Sequence, residues 1–210
     1  MVMRKKSHIS LARHILNVAD VPSFTKHKKA FYVGSVMPDI KPSFFAKRHE
    51  MNETFARVEK RIYQLTKDYL SFDELSTMYF IKLGEVVHYI ADYFTYPHNE
   101  EYTGTMAQHC IYEGELKHKL REYIRDFDAQ KHASWKKQLE LENMDRFRSA
   151  ADILKFIKEE HRKYIRNGNH SVEVDCKYIM DVCSKVTMAI LHVGGLTTRG
   201  KKVYATVRRS

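Results

Sequence analysis

The stretch LSTMYFIKLGEVVHYIADYFT, residues 75–95, decides the fold because its apolar side chains recur at helical spacing. His88 and Asp92 are four positions apart on one face of the predicted helix, so both side chains can reach the same ion. The small residues Gly84 and Ala91 on that face leave room for the ion. The other face is apolar and predicts burial: Phe80, Leu83, Val87, Ile90 and Phe94. The stretch therefore predicts a buried helix that carries a metal-binding pair.

The same helical periodicity continues through most of the chain, and no stretch alternates as a strand would, so we predict an all-α fold. Only eight glycines and four prolines occur in 210 residues, which favours long helices. No shift in composition marks a boundary, so we expect a single multi-helix domain over residues 1–198 and a loose basic tail over 199–210. The predicted helices are residues 8–19, 24–34, 53–69, 75–95, 106–127, 148–166 and 171–193.

The formal charge of +10 favours an anionic partner, either nucleic acid or an anionic membrane surface. The basic residues are spread along the chain and are densest in residues 1–6 and 199–210. This distribution favours solvated termini over a nucleic-acid patch. Three cysteines without C-x-x-C spacing speak against a disulfide framework and a cysteine zinc site, and they indicate a reduced compartment. No apolar run is long enough for a secretory leader or a membrane span, so we expect a cytoplasmic protein.

A second histidine–carboxylate pair follows the first. Pro97 ends the helix and places His98 just past its end, where a turn can aim the ring back. His109 and Glu113 are then four apart near the start of the helix 106–127. One such pair is ordinarily a surface ion pair, but two pairs joined by a Pro-His element favour metal binding.

The segment 35–50 is the longest predicted loop, and loops of this length are often functional. It adds Asp39 and His49 as candidate ligands. Histidine and carboxylate ligands without cysteine are typical of catalytic zinc sites, although iron or manganese could occupy the same ligands. With His8 there are eight candidates, too many for one zinc: His8, Asp39, His49, His88, Asp92, His98, His109 and Glu113.

These residues resemble the bacterial zinc-dependent phospholipase C family, which is related in fold to the P1 nucleases. The resemblance spans residues 8 to 113. Four elements carry it in order: Ser7-His8, then Gly34-Ser-Val-Met-Pro38-Asp39 with His49, then His88-Tyr89-x-x-Asp92-x-x-x-x-Pro97-His98, then His109-x-x-x-Glu113. The resemblance implies an all-α domain with two to three zinc ions.

By this resemblance one zinc is held by Asp39, His49, His88 and Asp92. A second zinc is held by His98, His109 and Glu113. The carboxylate matching Asp92 also bridges to a third zinc, held by the histidine matching His8 and by an N-terminal tryptophan. The only tryptophan of this chain is Trp135, so the third ion is open. The amine of Val2, His14 or His192 could supply the missing ligand.

The resemblance implies a zinc-dependent phosphodiester hydrolase of the phospholipase C type, in which a metal-bound hydroxide attacks a phosphodiester, most often a phospholipid. Asp39 would bind metal and accept the water's proton. Peripheral association with an anionic membrane would follow. Two alternatives stay open: a nuclease-like phosphodiesterase, which suits the positive charge, and a non-catalytic helical protein stabilised by metal. Asn99 and Thr95 either orient the ligand histidines or cap and pack the helix end.

Overall fold

The computed structural model describes residues 5–19, 22–40, 49–67, 76–130 and 146–196. Within these ranges there are seven α-helices and no strand, so the all-α prediction is confirmed. Each predicted helix is present with its ends shifted by a few residues. The predicted basic tail lies outside the described residues. In chain order the helices are α1 (Lys5–Ala19), α2 (Pro22–Val36), α3 (Met51–Lys67), α4 (Thr77–Tyr93), α5 (Met106–Gln130), α6 (Ala150–Arg166) and α7 (Val172–Val193).

Serine caps begin three of the helices. The hydroxyls of Ser76, Ser149 and Ser171 each accept a hydrogen bond from a backbone N–H in the first turn of α4, α6 and α7. At its other end α4 stops at Tyr93, and Pro97 lies in a short 3-10 turn over Tyr96–His98. This turn leads the chain from α4 toward α5.

Helix α4 is the centre of the core and packs against α2, α3 and α7. Its predicted apolar face is buried: Phe80, Leu83, Val87, Ile90 and Phe94. The opposite face is buried as well, including His88 and Asp92, so α4 has neighbours all round. None of the described helices is long and apolar enough to cross a membrane.

Two glycines let α2 and α4 touch backbone to backbone. A Cβ atom on Gly34 would lie 2.1 Å from the carbonyl oxygen of Ile81, and one on Gly84 would lie 2.4 Å from the carbonyl oxygen of Phe31. The interpretation that Gly84 leaves room for an ion is therefore wrong, because α2 fills that space. The close crossing instead brings the end of α2 onto the face of α4 that carries His88.

Candidate metal centre

His88 lies in the middle of α4 and is fully buried. Its Nδ1 atom is 2.9 Å from the backbone carbonyl oxygen of Ser35 at the end of α2. A carbonyl oxygen only accepts hydrogen bonds, so Nδ1 carries a hydrogen and Nε2 is the ring nitrogen left to face an ion. Metal-binding histidines are normally oriented in this way.

Asp39 and His49 lie on either side of residues 41–48, which are outside the described ranges. Backbone hydrogen bonds from Met37 to Val33 and from Ile40 to Met37 continue the end of α2 into the turn that holds Asp39. His49 lies two residues before the start of α3 and is 5% exposed. The sequence-predicted loop thus brings both side chains to α4.

Four ligand atoms from these segments lie close together: Asp39 Oδ1, His49 Nδ1, His88 Nε2 and Asp92 Oδ2. His88 Nε2 lies 3.1 Å from Asp39 Oδ1, 3.1 Å from His49 Nδ1 and 3.2 Å from Asp92 Oδ2. His49 Nδ1 lies 2.9 Å from Asp92 Oδ2 and 3.9 Å from Asp39 Oδ1. Zinc bound at 2.0–2.2 Å by four tetrahedral ligands would hold them about 3.3 Å apart. The first cluster, meaning these four residues, therefore has separations compatible with one zinc ion. His8 can join it as well, because the ligand atoms of His8, Asp39, His88 and Asp92 all lie within 4.8 Å of one another.

His8 stands beside the first cluster with its ring stacked on that of His88, at a centroid distance of 4.0 Å. Its Nε2 atom is 3.5 Å from Asp92 Oδ1 and 4.0 Å from Asp39 Oδ2. Among the described residues, neither ring nitrogen of His8 has a hydrogen-bond partner, although the side chain is buried. Asp92 thus turns one oxygen to the first cluster and the other to His8.

The remaining suggestions for a third ion differ in outcome. Val2 lies outside the described residues. His14 is buried against the ring of Phe127, at a centroid distance of 5.6 Å. Within the described ranges, neither His14 nor His192 belongs to a group with metal-ligand spacing. Among the described residues, His8 Nε2, Asp92 Oδ1 and Asp39 Oδ2 are the atoms that face this position.

The second cluster consists of His98, His109 and Glu113. Glu113 Oε1 is 2.9 Å from His109 Nε2 and 3.4 Å from His98 Nε2, and all their ligand atoms lie within 4.8 Å of one another. His98 and Glu113 are buried, and His109 is nearly so. Three such ligands suit a zinc site with one open position.

The charges in the first cluster call for a cation. Burial alone would lower the pKa of His88, but Asp92 and Asp39 raise it to about 10. Burial alone would raise the pKa of Asp92, yet His88 and His98 hold it well below its usual range. Burial and the neighbouring His88 keep the pKa of His8 well below its usual value. A divalent ion would supply the positive charge that the imidazole proton otherwise provides.

Thr95 and Asn99 support the end of α4. The hydroxyl of Thr95 donates to the carbonyl oxygen of Ala91 at 3.0 Å. The amide nitrogen of Asn99 donates to the carbonyl oxygens of Tyr93 and Thr95 at 3.3 and 3.0 Å. Both contacts match the capping and packing alternative. Asn99 also accepts a hydrogen bond of 2.8 Å from Nε2 of His161 in α6.

A cleft of about 230 Å³ opens beside the second cluster. His98, Asn99 and His161 form its inner side, and Glu100 and Glu101 belong to its rim. His98 is the member of the second cluster that lines this cleft.

Two contributors were missed from the sequence. The carbonyl of Ser35 orients His88, but a backbone atom leaves no mark on residue identity. Asp175 is fully buried and binds three hydrogen-bond donors. The sequence does contain a sign of it: Asp175 is a charged residue four positions before Ile179, on the otherwise apolar face of α7.

The family model for zinc dependent phospholipase C matches residues 7–171. The chain belongs to this family. All eight candidate ligands lie within the matched range, which extends well past the resemblance that ended at residue 113. Helix α7 of this zinc-dependent phospholipase C family member follows the matched range. Comparisons with curated proteins and with solved structures returned no match.

Proposed function

We propose that the protein is a zinc-dependent phosphodiester hydrolase that cleaves phospholipids on the diacylglycerol side of the phosphate. The observation that carries this proposal is the first cluster, in which ligand atoms of four side chains lie 2.9 to 3.9 Å apart, close to the separations in a tetrahedral zinc site. Membership of the zinc-dependent phospholipase C family supports the reaction class. The second cluster supports a site with more than one ion.

The residues that would hold the metal have distinct tasks. The first cluster would hold one zinc and the second cluster another, while His8 and Asp92 Oδ1 offer a third position. Zinc in these clusters would neutralise charge on the phosphodiester oxygens and lower the pKa of the attacking water. The carbonyl of Ser35 keeps the proton of His88 on Nδ1, so that Nε2 faces the ion.

Asp39 is the proposed proton acceptor. Burial raises the pKa of its carboxylate, so it is a stronger base than an exposed aspartate. Its Oδ1 atom faces His88, while Oδ2 lies on the side of His8. Among the described residues, neither oxygen has a hydrogen-bond partner of good geometry. One oxygen could therefore bind metal while the other receives the proton.

A phospholipid substrate is favoured by the surroundings of the candidate ligands. Ile40 directly follows Asp39 and is 60% exposed, while Met106 and Ile111 lie on either side of His109 in α5 and are 61% and 62% exposed. Exposed apolar side chains this close in sequence to candidate ligands are compatible with a lipid surface, and the phospholipase C family is the main support for a lipid substrate. The net charge of +10 suits an anionic membrane, at which we propose the protein acts from the cytoplasmic side.

The test combines metal analysis with three substrates. Protein purified without chelator should contain at least one zinc per chain and hydrolyse lecithin vesicles to diacylglycerol. Bis(p-nitrophenyl) phosphate should be a poorer substrate, and single-stranded DNA poorer still. If the unaltered chain contained no zinc and His88→Ala gave the same result, metal binding, which the proposal and both alternatives assume, would be excluded. Turnover of DNA alone would favour a nuclease, and bound zinc without turnover a metal-stabilised scaffold.

A further inference from the structure

A buried carboxylate on α7 joins four parts of the fold. Asp175 is fully buried and accepts hydrogen bonds from the hydroxyl of Tyr164 at 2.6 Å, the hydroxyl of Tyr112 at 2.8 Å and the backbone N–H of Tyr96 at 2.9 Å. These donors belong to α6, to α5 and to the turn Tyr96–His98. One side chain therefore ties two helices and the turn to α7.

Two of these hydrogen bonds end next to ligands of the second cluster. Tyr96 is two residues before His98, and Tyr112 immediately precedes Glu113. The backbone that carries His98 is fixed from the other side by Asn99, which His161 holds at 2.8 Å. Of the contacts described here, only the hydrogen bond of Tyr112 fixes the turn of α5 that carries Glu113.

Packing alone does not account for Asp175. Its position belongs to a stripe of apolar residues that includes Ile179, Val182 and Cys183. A buried carboxylate is costly even with three donors, and an apolar side chain of similar size is often as good or better for stability. Burial raises the pKa of Asp175 to about 6, which reflects that cost. The hydrogen bonds nevertheless set the relative positions of the turn and α5.

We propose that Asp175 is a positioning residue for the second cluster. It holds the turn Tyr96–His98 and the start of α5 at the separation that lets His98 and Glu113 share one ion. This inference rests on the proposed function only in that the second cluster binds metal. It does not depend on which phosphodiester is cleaved, or on any turnover.

The test measures each metal site separately. Chelator-stripped chain is titrated with Co²⁺, and binding is followed by the visible absorption of the tetrahedral ion. His109→Ala identifies the spectrum that belongs to the second cluster. In Asp175→Asn we expect the affinity of that cluster to fall on the order of tenfold or more, as for other residues behind metal ligands, with the first cluster unchanged.

Three further variants separate positioning from general stability. Asp181→Asn lies on the same helix but pairs with Lys185 at the surface, so it should leave both sites unchanged. Tyr112→Phe should weaken the second cluster, because it releases the turn beside Glu113. Tyr164→Phe should lower the thermal midpoint and leave the metal affinity unchanged. The hydrogen bond that it removes ties Asp175 to α6, which carries no ligand of the second cluster.

Three results would overturn the inference. The first is an Asp175→Asn chain that is less stable but binds Co²⁺ at the second cluster like the unaltered chain. The second is equal weakening of both clusters, which would indicate a loss of packing throughout. The third is an unaltered chain that binds no ion at the second cluster. A chain that binds both ions but hydrolyses nothing would contradict the proposed function and leave this inference standing.

Discussion

His88 donates its Nδ1 hydrogen to the carbonyl oxygen of Ser35, across the crossing of α2 and α4. The acceptor is a backbone atom, so its position depends on how closely the two helices approach. Gly34 and Gly84 permit that approach. The orientation of a candidate metal ligand thus depends on two residues that cannot bind metal themselves.

Gly84→Ala should weaken both the fold and the first cluster. The added Cβ atom would meet the carbonyl oxygen of Phe31 at 2.4 Å and the backbone nitrogen of Ser35 at 2.6 Å, so α2 must move away. We expect a loss of about 1–3 kcal/mol or more in the free energy of unfolding, as for other overpacked sites. Urea denaturation and Co²⁺ titration measure the two effects. Unchanged stability would contradict the close crossing.

His109→Ala should remove metal from the second cluster and leave the first cluster loaded. His109 and Glu113 are in contact at 2.9 Å, and the ligands of the first cluster lie on other segments. The matched control is His118→Ala, because His118 is exposed on the same helix. Zinc content by mass spectrometry should fall by one ion in the first variant and stay constant in the control. Equal contents would show that His109 is not a ligand.

His8→Ala should weaken metal binding next to Asp92 without affecting the second cluster. Nε2 of His8 lies 3.5 Å from Asp92 Oδ1, and no described residue donates a hydrogen bond to that oxygen. Co²⁺ titration of the variant should show a reduced affinity or one ion fewer. A titration that coincides with that of the unaltered chain would exclude His8 from the metal centre.

The stability of the chelator-stripped chain should fall as the pH rises. The pKa of His88 is raised from 6.5 in the unfolded chain to about 10, so its contribution is complete below pH 6.5 and disappears as the pH passes 10. Each kcal/mol lost should lower the thermal midpoint by about 2–4 °C. Zinc-loaded protein should not show this loss, because the ion replaces the proton and binds more tightly at higher pH.

Thermal scans across this pH window provide the measurement. His88→Ala is the control that shows whether His88 causes the loss of stability. In the stripped variant the thermal midpoint should fall less with rising pH. The pKa of Asp92 is shifted in the opposite direction, so its contribution is present above its usual range and is lost only in acid. A stripped chain equally stable at both ends of the window would contradict the pairing of His88 with the carboxylates.

The sequence was sufficient for the helices and for the two four-residue pairs, His88 with Asp92 and His109 with Glu113, because periodicity and four-residue spacing are local properties. The assignment of His8, Asp39 and His49 to the same centre came from the family resemblance. The sequence was insufficient where segments far apart in the chain come into contact. Gly84 was interpreted as space for an ion, whereas it accommodates α2. Asp175 bonds to Tyr96 and Tyr112, which are 79 and 63 residues away, and no local pattern encodes such pairings. The roles of the eight residues as ligands stay predictions.

Helix α4 and the turn after it carry ligands of both clusters, since His88 and Asp92 lie within the helix and His98 follows it directly. The spacing between the two proposed ions is therefore set by a short, rigid piece of backbone. Glu100 and Glu101 at the rim of the cleft lie just outside that piece. We expect the rim to tolerate sequence change while the helix does not, so that new headgroup preferences could arise without rebuilding the hydrolytic machinery.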